Sequence, residues 1–142
     1  MKKLAIFFLV IVILVVGMSY IYLNYKANYY EAKKQNRQFE SYNEKEIYGT
    51  ELTTIINKAV NQNETNEVQK DEKGKYIDNK KDSIKIEIKM LDNRKTYDME
   101  TLYKGGMDKF VQYYGEIKFK CTKIEYHNTN KVKKMLWEQI TE

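Results

Sequence analysis

Proline is absent from this 142-residue chain, cysteine and histidine occur once each, and glycine only six times. A single cysteine, Cys121, excludes an internal disulfide and any cysteine-based zinc site within one chain. A single histidine, His127, excludes a histidine cluster. Nucleophilic Cys/His chemistry needs a thiol poised against a base. Cys121 instead lies in Phe119-Lys120-Cys121-Thr122-Lys123, whose apolar/polar alternation reads as a small buried strand residue, and His127 reads as a solvated residue beside a turn. Arginine is nearly missing, with 2 against 23 lysines, while asparagine occurs 12 times. That skew reflects codon usage and carries no chemistry. The length allows one domain plus an appendage and excludes a multidomain enzyme.

The apolar residues are distributed unevenly. Residues 1–23 hold 19 of them and no acidic side chain; the remaining 119 residues carry 23 basic and 20 acidic groups, a net charge of +3. From Leu4 to Leu23 the run LAIFFLVIVILVVGMSYIYL has 20 residues without a charge. At about 1.5 Å per residue it matches a hydrocarbon core about 30 Å thick. Residues 4–23 are therefore expected to cross the lipid bilayer. Lys2 and Lys3 before the run also satisfy a secretory signal, and Gly17-Met18-Ser19 offers small residues for a peptidase. Against cleavage, no Ala-x-Ala is present, the apolar character continues to Leu23, and no lipobox cysteine follows. The reading adopted is an uncleaved, single-pass anchor.

Orientation is set by competing signals. Lys26, Lys33, Lys34 and Arg37 follow the span and, counted alone, place the C-terminal part inside. The opposite arrangement avoids carrying the short, doubly lysine-bearing amino tail across the bilayer. Tyr20, Tyr22, Tyr25, Tyr29 and Tyr30 mark the C-terminal boundary as an interface without saying which one. The expectation is a cell-membrane protein with its C-terminal domain extracytoplasmic.

Residues 24–46 contain neither glycine nor proline and are rich in helix formers, so the spanning helix has no encoded stop before about Glu46. Tyr22, Tyr25, Tyr29, Ala32, Asn36 and Phe39 follow a 3,4,3,4,3 rhythm. This stripe packs on the protein's own domain or, alternatively, on another membrane helix or a second copy. Gly49-Thr50 then punctuates the chain, with Thr50 as N-cap of an amphipathic helix Glu51–Asn61. Residues 61–82 form an exposed loop with at most a short strand at Tyr76-Ile77. Its acids do not match a calcium loop.

Ser83–Met90 alternates without error and places Ile84, Ile86, Ile88 and Met90 on a core face. Asp98 caps a helix reaching Tyr114, interrupted at Gly105-Gly106 and ended at Gly115. Ile117 to Ile140 reads as a hairpin with a bulge near Thr122-Lys123, a turn at His127–Asn130, and Met135 and Trp137 pointing one way. The expected fold is α+β: a long transmembrane helix (1–23) extended by a polar stalk (24–46), then a small domain (47–142). In that domain an antiparallel sheet of about three strands packs with two short helices.

This layout, together with the Ile47-Tyr48-Gly49-Thr50-Glu51-Leu52 step after the long helix, resembles the pilin-like and pseudopilin-like membrane-anchored proteins of Gram-positive bacteria. The resemblance is architectural. The family's processing signature, a glycine before the apolar segment and a glutamate at the fifth mature position, is absent, since Lys3 runs directly into Leu4. What the resemblance implies is a structural or assembly component whose helix packs against other membrane helices. The alternative is a membrane-tethered module presenting its head to a protein or an anionic cell-wall polymer, with Lys118, Lys120, Lys123, Lys131, Lys133 and Lys134 concentrating charge on the last hairpin. Acids spread elsewhere speak against nucleic acid as a partner. No paired acids, nucleophile motif or phosphate-cradling loop stands out, so no catalytic, metal or cofactor-binding residue and no cofactor is assigned.

Overall fold

The computed structural model describes residues 1–141. Its first element is a single helix, α1 (Lys2–Glu40), about 58 Å long at the ordinary helical rise. There follow β1 (Glu46–Tyr48), α2 (Gly49–Thr65), β2 (Lys85–Lys89), β3 (Thr96–Asp98), α3 (Met99–Gly105), α4 (Met107–Tyr114), β4 (Lys118–Tyr126) and β5 (Val132–Gln139). The fold is α+β, as composition and periodicity indicate.

The sheet has five strands in the order β1-β4-β5-β2-β3, in place of the three expected. It is mixed and not purely antiparallel, because β2 runs parallel to β5 with Ile86 beside Met135 and Ile88 beside Trp137. The two additional strands are edge pieces of three residues, β1 against β4 and β3 against β2. Each is too short to show a period of its own; its partner recruits it.

One sheet face is apolar. Ile86, Ile88, Phe119, Cys121, Met135 and Trp137 are fully buried there, under Leu52, Ile55, Ile56 and Ala59 of α2 with Met99 and Phe110 of α3 and α4. The alternation of β2 and the hairpin thus does what the sequence implies. The expected bulge lies between Cys121 and Lys123 and switches parity, so that both Cys121 and Ile124 face the core. The opposite face is open and carries charges across the strands. Glu87 receives Lys134 at 2.8 Å and Lys85 at 3.4 Å, and Lys89 meets Glu138 at 2.9 Å.

Several boundaries differ from expectation for identifiable reasons. The polar helix stops at Glu40. Phe39 enters the core, Tyr42 lies edge-on to Trp137 at 6.3 Å, and the chain turns to add β1 to the sheet edge through Glu44 N–H to Cys121 C=O. Packing overrides helix propensity here. Helix α2 begins one residue before Thr50, and no side chain caps it. Its first amides instead donate to the carbonyls of Ile117 and Gly115, at 2.9 and 3.1 Å. A Cβ on Gly49 would lie 2.0 Å from the Tyr114 carbonyl oxygen, so glycine permits this approach. Asp98 occupies the N-cap of α3 without a capping bond; its carboxylate pairs with Lys75 instead. Gly106, at φ 94°, separates α3 from α4.

The loop after α2 begins after Thr65 and not at Asn61, and it is fastened at both ends. The buried Asn63 amide donates to Ile84 C=O and accepts from Ile84 N–H, both at 2.8 Å. The strand expected at Tyr76-Ile77 is a single bridge, Lys70 with Tyr76. The Tyr76 hydroxyl donates to Glu64, and burial, with that carboxylate second, pushes it up to about 12.

Candidate functional site at the helix junction

Two consecutive stretches of α1 behave differently. Along Leu4–Leu23 every apolar side chain large enough to matter is exposed, from Ile11 at 40% to Ile21 at 69%. In physical terms this is one helix long and apolar enough to cross a membrane. Two turns further on, Ala32, Asn36 and Phe39 are buried against the head. The heptad-like stripe therefore divides: its lower part packs on the protein's own domain, while Tyr22, Tyr25 and Tyr29 stay exposed.

Asn36 makes the junction specific. Its Oδ1 accepts from the Val132 N–H at 2.8 Å, and its Nδ2 donates to Asn130 C=O at 2.7 Å. Because both partners lie where the β4–β5 turn enters β5, one side chain on α1 completes the backbone pairing that the turn leaves open. Lys131, between those two residues, is buried with its ammonium 2.8 Å from Glu31 on α1 and 3.8 Å from Asp82. A buried lysine paired to two carboxylates from different elements ties helix, turn and loop together.

His127 also belongs to this corner. Sequence reading places it in solvent; the structure buries it, with Nε2 2.7 Å from Ser83 C=O. Its own backbone pairs with Lys131 and Asn130 across the turn. The signal for burial was absent locally because Ser83 is 44 residues away. Asp78, whose carboxylate is 3.9 Å from the His127 ring, is held down to about 2, first by the Lys133 ammonium at 2.9 Å and next by the Lys80 backbone amide.

Beside this junction is a recess of about 430 Å³, bounded by Tyr25, Tyr29 and Glu31 of α1 and by Lys81, Thr129 and Lys131 of the head. A smaller apolar hollow of about 220 Å³ lies between Met90, Tyr97, Leu102, Phe110 and Tyr113.

The hairpin lysines do not form one free basic patch. Lys123 pairs with Glu125, Lys131 with Glu31, Lys133 with Asp78 and Lys134 with Glu87, whereas Lys118 and Lys120 have no carboxylate partner among the described residues. Cys121 is buried, and burial pushes its thiol up, away from the thiolate that chemistry requires. Among the described residues, no group of three His, Cys, Asp or Glu side chains is placed to hold a metal ion. Comparison with protein-family models, with characterised proteins and with solved structures finds no match to this chain.

Proposed function

We propose that the protein is a non-enzymatic, single-pass membrane protein that holds a small α+β head against the bilayer surface, on the extracytoplasmic side, as a binding or accessory module. The observation that carries this reading is the continuity of α1, from an exposed apolar segment at 4–23 to the Ala32, Asn36 and Phe39 contacts with the head. Without a flexible linker, the head's orientation to the membrane follows from that of the helix. Only about eight residues, or about 12 Å, separate Leu23 from the first docked turn. The open sheet face and the edges β1 and β3 are then the surfaces available to a protein or wall polymer.

A pilin-like structural or assembly role is the second reading. It is favoured by the exposed Tyr22, Tyr25 and Tyr29 face and by Gly17, which has nothing within 4 Å and would let another helix approach. The docking of Ala32, Asn36 and Phe39 leaves less of the stripe for such contacts, so the module reading takes precedence. Size measurement of the full chain in detergent separates them. A monomer supports the module, and a discrete oligomer broken by Tyr22→Glu with Tyr29→Glu supports assembly.

A further inference from the structure

We infer that the recess between α1 and the head takes the polar head of a single phospholipid bearing both a phosphate and a primary ammonium. The inference rests on the membrane reading above, and it uses three observations.

The first is depth. If the hydrocarbon boundary falls at Leu23, the helical rise places Tyr25 about 3 Å and Asn28 about 7.5 Å beyond it, with Tyr29 at about 9 Å. The polar layer on each side of a bilayer is about 5–8 Å thick. Tyr25 lies inside that layer, Asn28 at its outer edge, and Tyr29 and Glu31, the latter about 12 Å out, beyond it; all four line the recess, so it opens into the headgroup layer at its Tyr25 end and extends outward from there. This holds whichever side of the membrane the head occupies.

The second is charge. The lining contains Lys81 and Lys131 against Glu31 and Asp82, a balance of two positive and two negative groups. Lys131 is already engaged with both carboxylates. Lys81 has no carboxylate partner among the described residues and is exposed. A bare anion would meet Lys81 but also two carboxylates. A head carrying both signs satisfies both, with its phosphate on Lys81 and its ammonium toward Glu31, whose side chain remains 65% exposed.

The third is size and shape. A volume of about 430 Å³ lies within the range of small-molecule pockets. The rings of Tyr25 and Tyr29 supply amphipathic walls of the kind that sit at the bilayer interface. The backbone of Lys81 is tied to the β4–β5 turn, since its carbonyl accepts from the Thr129 hydroxyl at 2.5 Å. The loop and the turn thus bound the recess together, Lys81 from the loop and Asn128 and Asn130 from the turn.

The test uses full-length protein in nanodiscs of equal phosphatidylethanolamine and phosphatidylglycerol, released into a native mass spectrometer. One phosphatidylethanolamine should stay bound in preference to phosphatidylglycerol. Lys81→Glu should lower the lipid-bound fraction about tenfold, the effect of one charge-assisted hydrogen bond. Lys26→Glu, outside the recess, should leave it unchanged. Lys81 is exposed, so the variant should fold, and Trp137 emission checks this. Incorporation into nanodiscs with no lipid retained overturns the inference while leaving the membrane reading intact. So does retention of phosphatidylglycerol to the same extent, or retention indifferent to Lys81→Glu. Equal occupancy by glycerophosphoethanolamine, which lacks acyl chains, would overturn the lipid as its source. Failure to enter nanodiscs at all removes the membrane reading itself, and the inference with it.

Discussion

The side-chain amide of Asn36 pairs with the backbone N–H of Val132 at 2.8 Å, across 96 residues of sequence. With its second bond, to Asn130 C=O, this asparagine joins the long helix to the sheet at a fixed rotation. Asn36→Ala should leave a buried N–H and a carbonyl without partners and destabilise the protein by about 1–3 kcal/mol. Thermal melting of the full chain in detergent measures the loss, and hydrogen exchange should accelerate at the Val132 amide. Unchanged melting and exchange would show that the clamp contributes nothing.

Ile86 tests the sheet. It is fully buried between β5 and α2, and Ile86→Asp removes an apolar side chain while burying a carboxylate without a partner. The expected loss is several kcal/mol, comparable with the whole stability of a small domain. The fluorescence of Trp137 should shift to that of an exposed indole. Lys89→Ala, on the open face, should change stability by less than about 0.5 kcal/mol.

Gly49 tests the α2–α4 contact. Gly49→Ala sets a Cβ 2.0 Å from the Tyr114 carbonyl oxygen, where only backbone can yield. A loss of about 1–3 kcal/mol is expected, as for overpacking elsewhere. Gly17→Ala, in open space, should leave the head's melting temperature unchanged.

Acid should act through Asp78. Its carboxyl is depressed to about 2, chiefly by the Lys133 ammonium. Its stabilising contribution is therefore complete above the ordinary carboxylate value near 4 and is lost as pH falls through 2. Because the side chain is 44% exposed, solvent screening holds the contribution below about 1 kcal/mol. Melting temperatures of wild type and Asp78→Asn should differ at pH 5 and converge toward pH 2. A constant difference would remove this pair from the pH response.

The parts of the fold that could be read from sequence are those whose signals are local and periodic. Ile84, Ile86 and Ile88 alternate, Gly105-Gly106 breaks a helix, and the parity switch between Cys121 and Ile124 requires a bulge. The long apolar helix at 4–23 is a matter of length and hydropathy alone. The missing information is non-local. Glu46-Ile47-Tyr48 becomes a strand because Phe119 lies opposite, and the parallel pairing of β2 with β5 joins segments about 50 residues apart. His127 and Asn36 are polar residues that local reading assigns to solvent or to a weak seam, yet both are buried by backbone groups distant in sequence. Of the candidate site, Tyr25 and Tyr29 are legible as members of the tyrosine cluster that follows the apolar run. The recess is not, because Lys81, Thr129 and Tyr25 meet only once α1 docks.

Protease added to intact protoplasts tests the claim that α1 stays in the membrane and holds the head outside. Lys73, Lys80 and Lys81 lie on the exposed loop between Asn66 and Asp82 and are suited to trypsin. Full-mass protein is expected in the membrane fraction before digestion. Cleavage within that loop is expected on intact cells, with the α1-bearing fragment left in the membrane. Cleavage only after lysis would place the head inside. A protein shortened by about 19 residues and released to the medium would show that the segment ending at Ser19 is a removable signal, and would contradict the claim outright.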